Sequence, residues 1–95
     1  MGHSVVEQLS DLFLEYKTNA QAKGGSLLKE LDEFEHYYIY FLNLRLKLGS
    51  LSALEKAGVK SNLESIVKEN KSLPLQFKSQ KLLVELAHQN FAKSF

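Results

Sequence analysis

Apolar residues recur at three- and four-residue spacing through most of this chain, and this periodicity restricts it to a helical fold. The first stripe consists of Val5, Val6, Leu9, Leu12, Phe13 and Tyr16. Side chains at this spacing share one side of an α-helix, which can be buried against other helices. Ser4 and Glu7 form a capping-box pattern before the stripe, and Gly24-Gly25 follows it. Because glycine readily closes helices, we predict a first helix over about residues 5–21.

The rest of the chain repeats this pattern after short breaks. Ser26 can cap a second helix, which Gly49 would end. Over residues 42–48 leucines alternate with polar residues, a two-residue period that also suits a strand. We favour a helix there, since a lone strand would have no partner.

Two more capping-box patterns and a proline mark the later helices. Ser52 with Glu55 predicts a short helix that stops at Gly58. Ser61 with Glu64 predicts another, ending near residue 70, with Leu63 and Ile66 facing inward. Pro74 suits the first turn of a last helix, which carries Leu75, Leu82, Leu83, Leu86, Ala87 and Phe91. The expected fold is all-α, a compact bundle of about five helices.

Length and composition limit the chain further. Its 95 residues suit one domain, and it contains no cysteine, which excludes disulfides and thiolate metal sites. No apolar run reaches the roughly 20 residues of a membrane span, and an intracellular location is the default without cysteine. We interpret residues 1–3 as a cloning scar and residues 4–95 as a single helical domain without a membrane role.

Patterns typical of catalysis are missing from the sequence. The three histidines, His3, His36 and His88, form no closely spaced pair that could begin a metal site. The residues around Lys23-Gly24-Gly25-Ser26 lack the spacing of a phosphate-binding loop, and no nucleophile elbow occurs. We therefore expect a protein that is not an enzyme, with no catalytic residues, metal or cofactor.

Charge is divided unevenly along the chain. Residues 1–42 carry three lysines against seven acidic side chains, whereas residues 43–95 carry nine basic side chains against four acidic ones. A basic half can attract an acidic partner or nucleic acid. Nucleic acid is the weaker alternative, because the chain has a single arginine, Arg45, and specific readers usually carry arginine to contact guanine edges.

Aromatic residues are concentrated at Tyr37, Tyr38, Tyr40 and Phe41. Such a cluster could stack on bases, but at helical spacing it is more often part of a packing surface. We expect a monomer, and keep open an oligomer built on Tyr37, Tyr40 and Leu44.

Residues 54–68 resemble the central motif of the N-terminal domain of transcription elongation factor S-II. Its apolar and glycine positions are filled here by Leu54, Gly58, Val59, Leu63 and Ile66, and its basic position by Lys68. Upstream, residues 27–34 look like the second helix of that family, and residues 73–95 look like its last helix.

The resemblance implies a scaffold domain of a transcription elongation or chromatin-associated factor in the nucleus. Members of this family bind short, disordered, acidic motifs with an aromatic or aliphatic anchor, over the loops at one end of the bundle. On this chain those loops are residues 23–26 and 70–77. The implied peptide-binding residues are Lys23, Gly24, Lys68, Lys71, Leu73, Leu75, Phe77 and Lys78. Leu73 and Leu75 would form the anchor pocket, unless they only fasten the last helix to the bundle.

Overall fold

The computed structural model describes the backbone of residues 4–92 and the side chains of residues 4–89. Over this range the chain forms four α-helices and no strand, which confirms the all-α prediction. The helices are α1 (Val5–Lys23), α2 (Ser26–Lys47), α3 (Ala53–Glu69) and α4 (Leu73–Ala92). The interpretation of residues 1–3 as a cloning scar falls outside the described residues.

The expected count of about five helices is wrong because α3 runs without interruption through Gly58. A Cβ atom added at Gly58 would lie 3.5 Å from the Cβ of Ser10 in α1. The glycine therefore sits where two helices come close together, and it does not end one. The predicted capping box at Ser61 and Glu64 is also wrong, since both residues lie in the middle of α3.

Two of the predicted capping boxes are confirmed. At the start of α1 the Ser4 hydroxyl accepts the backbone N–H of Glu7, and the start of α3 repeats this with Ser52 and Glu55. The two boxes are joined, because the Ser4 hydroxyl donates a 2.7 Å hydrogen bond to Oε2 of Glu55. The pKa of Glu55 is lowered, first by the backbone N–H of Ser52 and then by the Ser4 hydroxyl.

The end of α2 and the start of α4 agree with the predictions, but the predicted cap at Ser26 is wrong. Gly25 caps α2 without a side-chain hydrogen bond, and Ser26 is the first residue of the helix. The helix α2 continues through the alternating leucines to Lys47, so the helical interpretation of that stretch is confirmed. Gly49 follows with a φ of 148°, a conformation that favours glycine. Pro74 occupies the first turn of α4, where its missing N–H costs nothing.

The helices α1 and α3 run in the same direction. Ser4 meets Glu55 near their starts, and Lys17 forms a 2.9 Å ion pair with Glu69 near their ends. The helices α2 and α4 run the opposite way, each joined to its predecessor by a short connection. The shared core consists of Val6, Phe13, Tyr38, Ile39, Leu42, Leu51, Val59, Leu63, Ile66, Leu75, Leu82 and Leu86.

One buried polar network crosses this apolar core. The hydroxyls of Ser10 and Tyr38 lie 2.7 Å apart and share a hydrogen bond. The amide of Asn62 donates to the Tyr38 hydroxyl and to the Ser10 carbonyl, each across 3.1 Å. One contact point thus fixes α1, α2 and α3 together. Burial raises the pKa of Tyr38, so its hydroxyl keeps its proton.

Candidate functional site

Two grooves of the bundle are relevant to the predicted peptide site. The first, which we call the end groove, lies where α1 ends, α2 begins and α3 turns into α4, and its volume is about 440 Å³. It is lined by Lys17, Gln21, Leu28, Leu31, Asp32, Glu35, Ser65, Glu69, Asn70, Lys71 and Ser72. The sequence predicted a site at this end, between the two inter-helix connections.

Asn70 holds the end groove together. Its amide nitrogen donates to Oε1 of Glu35 across 2.6 Å and to Oδ1 of Asp32 across 3.1 Å. Its side-chain oxygen accepts the backbone N–H of Ser72 across 2.8 Å. The end of α3 and the turn into α4 are therefore tied to the first half of α2.

The charge of the end groove is unsuited to an acidic ligand. Three carboxylates line it, those of Asp32, Glu35 and Glu69. Burial raises the pKa of Glu35, and the carboxylates of Asp32 and Glu69 raise it further against the opposing hydrogen bond from Asn70. Lys17, one of the two lysines here, already pairs with Glu69 at 2.9 Å. An acidic motif would meet repulsion in this groove.

The predicted binding residues do not come together in one place. Of the eight, only Lys71 lines the end groove. Lys23 is the exposed last residue of α1, and Gly24 caps that helix with its N–H on the Ala20 carbonyl. Lys68 is exposed on α3 and lines none of the grooves described here.

Leu73 and Leu75 do not form the expected pair around an anchor pocket. Leu75 is only 1% exposed and belongs to the core, whereas Leu73 is 61% exposed. The separation follows from helix geometry, since residues two apart in a helix point about 200° apart. Phe77, four residues after Leu73 on the same side of α4, is also largely exposed.

The second groove, between α2 and α4, combines apolar side chains with positive charge, which is what a site for acidic peptides with an apolar anchor requires. We call it the side groove; it measures about 270 Å³ and is lined by His36, Ile39, Tyr40, Asn43, Leu75, Lys78 and Lys81. The core residues Ile39 and Leu75 form its floor, and the exposed ring of Tyr40 supplies apolar surface at its edge. The exposed Lys78 and Lys81 supply positive charge. Among the described side chains that line this groove, none is acidic.

The predicted set contained only Leu75 and Lys78 of the side groove. The lining residues do lie at helical spacing in the sequence. Residues 36, 39, 40 and 43 share one side of α2, and residues 75, 78 and 81 share one side of α4. Periodicity shows which residues of one helix share a side. It does not show which sides of two helices meet, and the side groove depends on that pairing.

The lysines of the second half are distributed over different faces. Lys56 and Lys60 line a groove between α3 and α4, whereas Lys78 and Lys81 lie on the α2 side of α4. A track for a nucleic-acid backbone would need these charges along one path. Their separation disfavours the nucleic-acid alternative.

Neither a metal site nor a membrane span is present in the described part of the chain. Within residues 4–92, no group of three or more His, Asp or Glu side chains is placed to hold a metal ion. No helix in that range is long and apolar enough to cross a membrane.

Comparison of this chain with protein-family models, with curated proteins and with solved structures gives no match. The assignment of a site therefore depends on the residues and geometry described above.

Proposed function

We propose that this chain is a non-catalytic protein-interaction module that docks short acidic peptides with one aromatic or large aliphatic anchor in the side groove. The observation that carries the proposal is the combination of an apolar floor with two exposed lysines and no acidic lining residue. An anchor side chain would pack on the exposed ring of Tyr40, above the buried Ile39 and Leu75, and acidic neighbours in the peptide would face Lys78 and Lys81.

The size of the side groove supports a side-chain anchor over a metabolite. Pockets for drug-sized molecules usually measure about 300–1,000 Å³, and the side groove falls just below that range at about 270 Å³. A short motif that is disordered when free loses conformational entropy on docking, so we expect micromolar affinity.

The transcription setting of the proposal, and with it a nuclear location, is supported only by the resemblance of residues 54–68 to the S-II family motif. The proposed groove differs from the position that the family implies, because the end groove carries three carboxylates. We retain the docking of acidic peptides and place it in the side groove between α2 and α4 instead of the end groove.

The test is a titration of a labelled acidic peptide with a central Phe, and of its Phe→Ala counterpart, against wild-type and charge-reversed protein. Lys78→Glu and Lys81→Glu should each weaken binding about fivefold to tenfold, since an exposed ion pair contributes up to about 1 kcal/mol and reversal adds repulsion. Lys71→Glu in the end groove and Lys68→Glu outside both grooves are the matched controls. Both should leave the affinity nearly unchanged, and the Phe→Ala peptide should bind weakly to every protein.

Other outcomes would reject this assignment. Loss of binding in Lys71→Glu but not in Lys78→Glu would place the site in the end groove. A labelled DNA duplex, titrated at low and moderate salt, tests the nucleic-acid alternative. Tight duplex binding with a steep salt dependence, together with no peptide binding, would replace the proposal.

A further inference from the structure

The outer side of α2 carries a stripe of exposed residues, of which only Tyr40 lines one of the grooves described above. The stripe consists of Glu33, Tyr37, Tyr40, Leu44 and Lys47. Tyr37 is 74% exposed, Tyr40 is 65% exposed and Leu44 is 45% exposed. Tyr40 also borders the side groove, so it marks where the two surfaces meet.

The spacing of this stripe is that of a helix-pairing seam. Its members are separated by four, three, four and three residues, the repeat that keeps side chains facing a partner helix over several turns. The buried side of α2 has its own members, Glu35, Tyr38, Ile39 and Leu42. The helix thus has two packing sides, and the bundle occupies one of them.

The ends of the stripe carry opposite charges at equal distances from its centre. Glu33 lies seven residues before Tyr40, and Lys47 lies seven residues after it, about 10 Å in each direction at 1.5 Å per residue. In an antiparallel pair of α2 helices centred on Tyr40, Glu33 of each copy would face Lys47 of the other. In a parallel pair the two glutamates would face each other, as would the two lysines. The charges therefore favour a second, antiparallel copy of this chain.

Neighbouring apolar side chains extend the surface to the size of a stable interface. Also exposed are Leu48, which caps the end of α2, and Val5, Leu12 and Tyr16, which share one side of α1 at helical spacing. The ring of Tyr16 stacks on Phe34 of α2 at 4.8 Å, which places this side of α1 next to the stripe. With about 150–250 Å² for an aromatic side chain and somewhat less for Leu or Val, complete burial of these exposed fractions would cover at most roughly 700 Å² per copy. Standard interfaces bury about 800 Å² per partner.

We propose that two copies of this chain associate through the α2 stripe, antiparallel, with a twofold axis at Tyr40. Such a contact is self-complementary, as a twofold interface requires. Tyr37 of one copy packs near Leu44 of the other, and the two Tyr40 side chains meet at the axis. This proposal replaces the expected monomer with a dimer.

Charge reversal gives a test with an internal control, because a second reversal can restore the lost charge pairing. The oligomeric state is measured by sedimentation velocity from micromolar to millimolar protein. Glu33→Lys and Lys47→Glu should each weaken the dimer about tenfold, because each change affects both symmetry-related pairs. The double variant Glu33→Lys/Lys47→Glu restores opposite charges at both ends and should recover the wild-type dissociation constant. Glu64→Lys, on exposed α3 surface, is the matched control and should change nothing.

A variant that removes apolar side chains tests the packing of the stripe separately from its charges. Tyr37→Ser/Leu44→Ser should be monomeric over the whole range, and its circular dichroism should show an intact helical bundle. A wild-type protein that stays monomeric at millimolar concentration would overturn the proposal, as would a dimer indifferent to both single reversals. Failure of the double variant to recover would reject the antiparallel arrangement. Lys78→Glu/Lys81→Glu should remain dimeric, so peptide docking and dimer formation can fail independently.

Discussion

The side-chain amide of Asn62 donates a hydrogen bond to the phenol oxygen of Tyr38 across 3.1 Å, inside a core where both side chains are almost fully buried. The Tyr38 oxygen also meets the Ser10 hydroxyl at 2.7 Å. Every polar group in this network depends on partners from other helices, because water does not replace them there.

Removal of the Tyr38 hydroxyl should therefore destabilise the fold. We expect Tyr38→Phe to lower the free energy of unfolding by about 1–3 kcal/mol, since the Ser10 hydroxyl and the Asn62 amide each lose a buried partner. Urea unfolding measures the change. Tyr37→Phe, one residue away but exposed, is the control and should stay within about 0.5 kcal/mol of wild type. Equal losses in the two variants would contradict the role of the network.

Leu63 should contribute strongly to stability. It is fully buried in α3, and large-to-small changes at such positions cost about 2–5 kcal/mol. Leu63→Ala should shift the urea midpoint accordingly, whereas Leu54→Ala, on the exposed side of the same helix, should have little effect. A small loss at Leu63 would mean that α3 presents a different side to the core.

Gly58 should accept alanine. In a helix interior alanine is favoured over glycine by about 0.8–1 kcal/mol, and the new Cβ would meet the Ser10 Cβ at an ordinary contact distance of 3.5 Å. Gly58→Ala should therefore raise the thermal midpoint, while Gly58→Ile should lower it by forcing α1 and α3 apart. If Gly58 ended a helix in the left-handed conformation, alanine would instead destabilise the protein.

Glu35 should make stability depend on pH. Burial and the nearby Asp32 and Glu69 carboxylates raise its pKa in the folded protein above the ordinary value of 4.5. An acid with a raised folded pKa weakens the fold above that pKa, and the penalty is absent below its unfolded pKa. Glu35→Gln should thus be more stable than wild type at pH 7, and its advantage should vanish below about pH 4.5.

The hydrogen bond from Asn70 can be kept in that variant, because the glutamine oxygen can accept it. Glu30→Gln, exposed on the same helix, is the control for the change of side chain and should stay within about 0.5 kcal/mol of wild type. Unfolding by urea at several pH values supplies the measurement. A Glu35→Gln advantage that persists unchanged at low pH would assign the gain to packing and not to ionisation.

The fold could be predicted wherever the sequence signal is local. The capping boxes at Ser4 and Ser52 involve residues three apart, and the inward position of Leu63 follows from helical spacing. Gly58 was misjudged because its role depends on Ser10, 48 residues away. A glycine inside a helix that packs against another helix has the same local pattern as a glycine that ends one.

The site was harder to predict for the same reason. The resemblance to S-II domains suggested lysines around the α3–α4 connection, but the acids of the end groove come from α2 and α3. Only the packed bundle brings Asp32, Glu35 and Glu69 together. Likewise, Lys78 and Lys81 acquire an apolar floor only because α2 lies beside α4.

The parallel course of α1 and α3 places two helix starts side by side. Each start carries a partial positive charge of about half an elementary charge, and two such ends repel each other. The carboxylates of Glu7 and Glu55 lie at these starts and offset that charge. Because the Ser4 hydroxyl also binds Glu55, the first turns of both helices should open and close together, although their caps lie 48 residues apart in sequence. Local unfolding at the beginning of the chain would then expose the middle of the chain as well.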